Sequence, residues 1–353
     1  MTNPLPTTAA GESLLSNGVG LVKESCIAQG NGQAQTPRLN TTGPAKPIPS
    51  PMPSPLLSPA QEQECQELHE EHSQPPLSAV IAKLHRQVTS FLAERHDPSS
   101  ILYKVQNQTR ISLSVIQDAL KRFSLHELSL SYNGGKDCLV MLVLFLASLH
   151  SLPTIETTAV LKDGERTAPP TTIPAIYAQP HHPFRSVEEF VASSSHAYHL
   201  SLVRYTTNPP RSTLRTAFSS YLSLHPQIRA IFVGTRRTDP HGEKLTHFDR
   251  TDHGWPDFVR IHPVIDWHYA EIWAFIRHLG IEYCPLYDEG YTSLGGTNDT
   301  HPNPKLKVIS KQNANAAPSP PSSSSYTADG SDSNYRPAYE LMDDGEERLG
   351  RDW

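Results

Sequence analysis

Two short clusters in this sequence carry residue types suited to phosphate chemistry. The first is Asn133-Gly134-Gly135-Lys136-Asp137, between an apolar run ending at Tyr132 and another beginning at Cys138. Glycines let backbone N–H groups approach an anion, a helix starting there adds the positive end of its dipole, and lysine adds a full charge. The pattern is not a Walker A loop: the leading glycine would fall at Leu130, and Asp137 stands where Ser or Thr is required. A Rossmann G-x-G-x-x-G is absent too. An acid in the first helical turn either caps the helix, worth about 0.5–2 kcal/mol, or serves a divalent cation lying between it and bound phosphates. Asp137 is therefore a candidate Mg2+ ligand.

The second cluster opens at Gly234-Thr235-Arg236-Arg237-Thr238-Asp239-Pro240. Arginines beside an aspartate make either a solvated salt-bridge patch, worth under ~1 kcal/mol, or phosphate contacts of about 1.5–3 kcal/mol each. Further on, Asp252, Trp255, Pro256, Asp257 and Phe258 set aromatics among carboxylates. Either they plug a satellite core, the usual fate of loop aromatics, or they form a platform for a planar ring whose nitrogens donate to Asp252 or Asp257. The 18 histidines raise a metal site, but none is joined to other ligands at metal spacing.

These residues need a scaffold, and the apolar pattern supplies one. Helical spacing begins near Leu77 with Val80, Ile81, Leu84, Val88, Phe91 and Leu92, capped by Ser78. A second helix sets Ile111, Val115, Ile116, Leu120 and Phe123 on one face. Strands are then predicted at 128–132, 173–178, 199–205, 230–235 and 258–264, alternating with helices at 137–150, 186–196, 212–224 and 267–279. Such alternation predicts an α/β fold, an open and mostly parallel sheet with helices on both faces. Ligands of such sheets bind where the loops after the strands gather.

Composition limits the rest. An apolar content of 37% with 32 prolines suggests a folded domain diluted by unfolded sequence. The tail 1–75, with "PIPSPMPSPLLSP" inside it, is expected to be disordered, and so is the low-complexity insertion 313–334. The domain then covers 76–312, with 161–172 as a surface insertion, and 335–353 regains aromatics, carboxylates and arginines suited to folding back onto it. A formal charge of −6 offers no basic field for nucleic acid or an anionic membrane. The longest apolar run, Cys138 to Leu149, is short of the ~20 residues needed to span a bilayer. Four separated cysteines and no recognisable leader point to free thiols in the cytoplasm.

The strings "SYNGGKD", "GTRRTDPHGE", "DHGWPDFVRIHPVIDWHYAEIW" and "CPLYDEGYTSLGGTNDTHPNP" occur in that order. In this the sequence resembles the eukaryotic FAD synthases, FMN adenylyltransferases with a fold like that of phosphoadenylylsulfate (PAPS) reductases. It is similar to their fungal, single-domain form from about residue 77 onward, apart from the insertions 151–172 and 313–334. The resemblance implies the reaction ATP + FMN → FAD + pyrophosphate with Mg2+ and small-molecule partners, ATP and FMN. Flavoprotein clients for the FAD are not legible. It also implies that Ser131, Asn133, Gly134, Gly135 and Lys136 hold ATP phosphates, with Arg236 or Arg237 reaching a phosphate. Asp137 and Asp239 are the implied metal ligands. Asp252, Trp255, Pro256, Asp257 and Phe258 fall in the flavin motif, and Arg348 and Arg351 of "ERLGR" act near the phosphates. A sulfonucleotide reductase on the same scaffold would need a nucleophilic cysteine in its C-terminal segment, and none follows Cys284. A catalytically inactive nucleotide- or flavin-binding protein is disfavoured because every charged motif position is filled.

Overall fold

A computed structural model describes residues 74–152, 159–160, 166–167, 170–208, 212–308 and 334–352. Most of the 1–75 tail and nearly all of the 313–334 insertion lie outside these residues. Helices α1 (Leu77–Ala93) and α2 (Ile101–Arg122) precede β1 (Leu128–Ser131) and α3 (Lys136–Leu149). Within the expected insertion, β2 (Ala159–Val160) and β3 (Arg166–Thr167) pair as a small antiparallel hairpin. The chain continues through β4 (Ile173–Gln179), α4 (Arg185–Ala197), β5 (Leu200–Thr206), α5 (Leu214–Leu224), β6 (Ala230–Phe232), β7 (Phe248–Arg250), β8 (Val259–Ile261) and α6 (Tyr269–His278).

The main sheet has the order β5-β4-β1-β6-β8-β7, parallel throughout except for β7, which runs antiparallel to β8. Period-two alternation divides its side chains between two faces. Leu128 and Leu130 of β1, Ala175 of β4, and Ala230 and Phe232 of β6 enter the larger core with α1, α2, α3 and α6. Ile176 of β4 and Ile231 of β6 face the other way and join Ala217, Phe218 and Tyr221 of α5 in a smaller core. From β1 the chain passes to β4 on one side, and β6 later pairs with β1 on the other. The loops after β1 and β6 therefore open onto a topological switch point, where doubly wound sheets bind ligands.

The expected strands and helices of the sheet are all present, with ends shifted by a few residues. The last parallel strand stops at Ile261, because Pro263 has no N–H for a ladder. Three details differ. Ser78 does not cap α1: Pro76, with φ −62 and ψ 156, holds the N-cap, and Ser78 lies inside the first turn. Ile111 is 44% exposed, since α2 buries a stripe through Val105, Thr109, Ser112, Ile116 and Ala119. Ser112 holds its place there by donating to the Pro263 carbonyl (2.7 Å) and accepting from Trp267 Nε1 (2.9 Å). Finally, β7 was not anticipated, because its Phe-Asp-Arg sequence has no apolar run. Among the described residues, no helix is long and apolar enough to cross a membrane.

Candidate active site

Gly134 turns the chain between β1 and α3. Its φ is +74, and a Cβ there would stand 2.8 Å from Val191 Cγ2, so only glycine fits. Asn133 folds back to accept the Gly135 N–H at 3.0 Å. Gly135 is the N-cap of α3 and no side chain caps the helix, so Asp137 is not a cap. The loop after β6 packs directly on this turn: a Cβ on Gly234 would lie 2.8 Å from the backbone N of Cys138.

The two arginines of the second cluster separate. Arg237 turns outward, with Nε on Asp266 Oδ1 at 2.7 Å and Nη1 donating to the Glu243 and Leu245 carbonyls. Arg236 is fully buried and gathers carboxylates: Asp137 at 2.8 Å, Asp344 at 3.2 Å, Asp239 at 3.7 Å and Glu347 in direct contact. Its own N–H donates to Asp239 Oδ2 at 2.8 Å. Lys136 is 2% exposed, and its ammonium bonds Asp137 Oδ2 (2.9 Å) and Glu347 Oε1 (2.5 Å). Glu347 and Asp344 come from the C-terminal segment, and the motif strings singled out neither.

Two cations thus face four carboxylates, a surplus of negative charge. Burial raises the Asp137 carboxyl, but Arg236 and Lys136 outweigh it and hold the group below its ordinary value. Asp239 goes the other way: burial first, then the neighbouring Asp137, push it up. Lys136 is lowered by burial but raised more by Asp137 and Glu347, so it stays charged. Oxygen-only donors with excess negative charge at the mouth of a phosphate loop suit a hard divalent cation such as Mg2+. Asp137 and Asp239 are the two acids of the cluster expected from the sequence to serve such an ion, and the two Asp137 oxygens lie here against Arg236 (2.8 Å) and Lys136 (2.9 Å).

Beside this cluster lies an open cleft of about 180 Å³ at the carboxyl ends of β1, β4 and β5, with Asn133, Tyr177, Thr207, Gly295, Asp299 and Arg351 in its lining. Arg351 reaches it from the C-terminal segment, with Nη2 on Asp299 Oδ1 at 3.1 Å and Nη1 on the Leu294 carbonyl at 3.0 Å. A Cβ on Gly295 would collide with that guanidinium. Burial lowers the Arg351 pKa against the pull of Asp299, and nearby Arg348 lowers it further.

The flavin-motif residues lie apart, by the smaller core. Phe258 is 4% exposed, stacked on Phe218 at 5.3 Å; Trp255 is half-buried, 6.4 Å from the same ring. Asp257 pairs with Arg250 at 2.6 Å and Asp252 with Arg260 at 3.6 Å, both carboxylates exposed. Pro256 accepts from the Thr251 hydroxyl through its carbonyl at 2.8 Å. Ser131 ends β1, half-buried below the loop. The fold also assembles a His-rich group that spacing alone could not show. Glu94 Oε2 meets His96 Nε2 at 2.9 Å and His278 Nε2 at 2.8 Å, joining the ends of α1 and α6. The thiols of Cys138 and Cys284 are free, pushed up by burial to about 12 and about 11, which makes poor nucleophiles of both.

A parallel α/β sheet with a glycine–lysine loop and converging arginines at its switch point defines a protein that handles nucleotide phosphates. The family model of the phosphoadenosine phosphosulfate reductase domain matches residues 127–302. A probable FAD synthase of Schizosaccharomyces pombe is 36% identical over 254 residues, covering 72% of this chain and 82% of that protein. Flavin adenine dinucleotide synthase of Saccharomyces cerevisiae is 33% identical over 66% of this chain and 78% of its own. Candida glabrata FMN adenylyltransferase, solved with FAD and inorganic pyrophosphate, superposes with a TM-score of 0.67 at 29% identity, covering 78% of this chain and 99% of that one. The chain belongs to the FAD synthase family.

Proposed function

We propose that this protein is an FMN adenylyltransferase: a phosphate oxygen of FMN attacks the α-phosphorus of ATP, the bond to the bridging oxygen of the β-phosphate breaks, and FAD and pyrophosphate leave. The attacking oxygen is already anionic, so no general base or covalent nucleophile is required. Positioning and charge neutralisation then carry the rate. What carries the reading on this chain is Arg351, returned by the C-terminal segment to a cleft that Asn133 also lines.

In this reading the loop Asn133–Gly135 and the start of α3 cradle ATP phosphates, and Arg348 and Arg351 neutralise charge on the transferring group. Asp137 and Asp239 would hold Mg2+, which would offset negative charge on the phosphates. Trp255 and Asp252 face the flavin, while Phe258 supports them from the smaller core. Arg236 is the working arginine of its pair, acting from inside the carboxylate cluster. The setting is the reducing cytoplasm, consistent with the free thiols of Cys138 and Cys284.

The test is direct: purified protein with FMN, ATP and Mg2+, followed by chromatography for FAD and pyrophosphate. FAD no higher than in a no-enzyme control rejects the proposal. Asp137→Asn and Arg351→Ala are each expected to lose roughly tenfold or more in turnover while remaining folded by circular dichroism.

A further inference from the structure

Glu347, the acid that opens "ERLGR", is 4% exposed and anchored at both its side chain and its backbone. One carboxylate oxygen takes the Lys136 ammonium at 2.5 Å, and the other contacts Arg236 Nη2. Its backbone carbonyl accepts from Thr292 Oγ1 at 2.5 Å and from Asn303 Nδ2 at 3.4 Å. Asn303 also donates to Thr292 Oγ1 (2.9 Å) and to the Glu346 carbonyl (2.8 Å), and both of these anchors are buried. Asp344, the other tail acid at Arg236, is committed elsewhere: it accepts the Tyr269 N–H at the start of α6 (2.6 Å) and meets His268 Nδ1 (2.6 Å).

Lys136 opens α3 just after the β1 loop and Arg236 belongs to the loop after β6, so one carboxylate joins the first turn of α3 and the β6 loop to the tail. Arg348 follows immediately, and Arg351 reaches the cleft after Gly350, whose carbonyl accepts the His301 N–H at 2.8 Å. Lys136 and Arg236 therefore face carboxylates and are almost wholly shielded from solvent. An apolar replacement of a buried ion pair is often neutral or better for stability.

We propose that Glu347 is a positioning residue of the adenylyl transfer: it fixes Lys136 and Arg236 as one unit, and so sets where Asp137, Arg348 and Arg351 stand relative to the phosphates. This rests on the FMN adenylyltransferase reading, which FAD formation by the wild-type protein tests separately. Glu347→Gln keeps the shape and removes the charge; Glu347→Asp keeps the charge and shortens the reach. Steady-state kcat, KM for ATP and for FMN, and Tm are measured for all three full-length proteins. The expected result is a kcat lowered roughly tenfold or more in Glu347→Gln, with both KM values within about threefold of wild type and partial recovery in Glu347→Asp. A Glu347→Gln protein with lowered Tm but wild-type kcat well below that temperature makes Glu347 a structural staple and overturns the proposal. Wild-type values throughout overturn it as well. If Glu347→Gln does not fold, Glu347→Asp decides: a several-fold loss of kcat at unchanged Tm supports positioning, and wild-type kcat rejects it.

Discussion

Phe258 is 4% exposed and stacks on Phe218 at 5.3 Å, whereas Trp255 is half-buried and tilted 56° against the same ring at 6.4 Å. In the sequence the two aromatics offered the same choice between core plug and ring platform; burial separates them. Phe258→Ala removes a core ring and is expected to cost about 3–5 kcal/mol of stability in a denaturant titration. Trp255→Ala is expected to leave most of the stability intact and to raise KM for FMN more than KM for ATP. A Trp255→Ala protein with lowered Tm and unchanged KM for FMN would place Trp255 in the core with its neighbour. Arg236 and Arg237 pose a similar problem. Nothing in adjacent arginines says which one turns inward, and it takes carboxylates more than a hundred residues away to draw Arg236 in, Glu347 being 111 positions distant.

The strands β4 and β6 and the helix α3 were legible because each is a largely apolar run bounded by turn residues, as burial in the middle of a covered sheet requires. β7 was not, because its pairing with β8 comes from register (Phe248 opposite Ile261) and not from hydrophobicity. Where these strands end sits His262, whose ring is 1% exposed. Asp249 Oδ2 is 3.9 Å from its Nε2, and Arg260 and His247 are also close enough to act on it. Burial first and Arg260 second hold its pKa down to about 4, against 6.5 for a free imidazole. The unfolded chain therefore binds the extra proton between those values and the folded one does not. The contribution to stability is complete above 6.5 and is lost as pH falls towards 4. Across that range the effect amounts to about 3 kcal/mol. His262→Gln is expected to flatten the fall of Tm over this window relative to wild type, and parallel Tm curves for the two proteins would contradict it.

At the scale of the whole molecule, the C-terminal segment returns to a charge cluster begun some two hundred positions earlier, Lys136 and Glu347 being 211 apart. Its return was readable from the renewed aromatics, carboxylates and arginines of 335–353. Its attachment was not, because the acid that matters lies in "DDGEER" among three others. The segment is tied down at several places. Val308 N–H donates to the Asn334 carbonyl at 2.7 Å and Arg336 N–H to the Leu306 carbonyl at 2.8 Å; Tyr269 Oη donates to the Ala338 carbonyl at 2.8 Å. The first of these sets the two ends of the 309–333 stretch side by side. Whatever those residues do, the folded body does not need their length to bring 334–352 into place. Replacing 309–333 with a short glycine-containing turn is expected to leave kcat and both KM values within about twofold. Shortening the loop several-fold should also raise stability by about 1–2 kcal/mol through reduced closure entropy. Thermal melts and steady-state kinetics on the shortened and full-length proteins check both. Loss of activity with the tail still docked, as reported by resistance to proteolysis beyond residue 334, would assign the stretch a part in turnover itself.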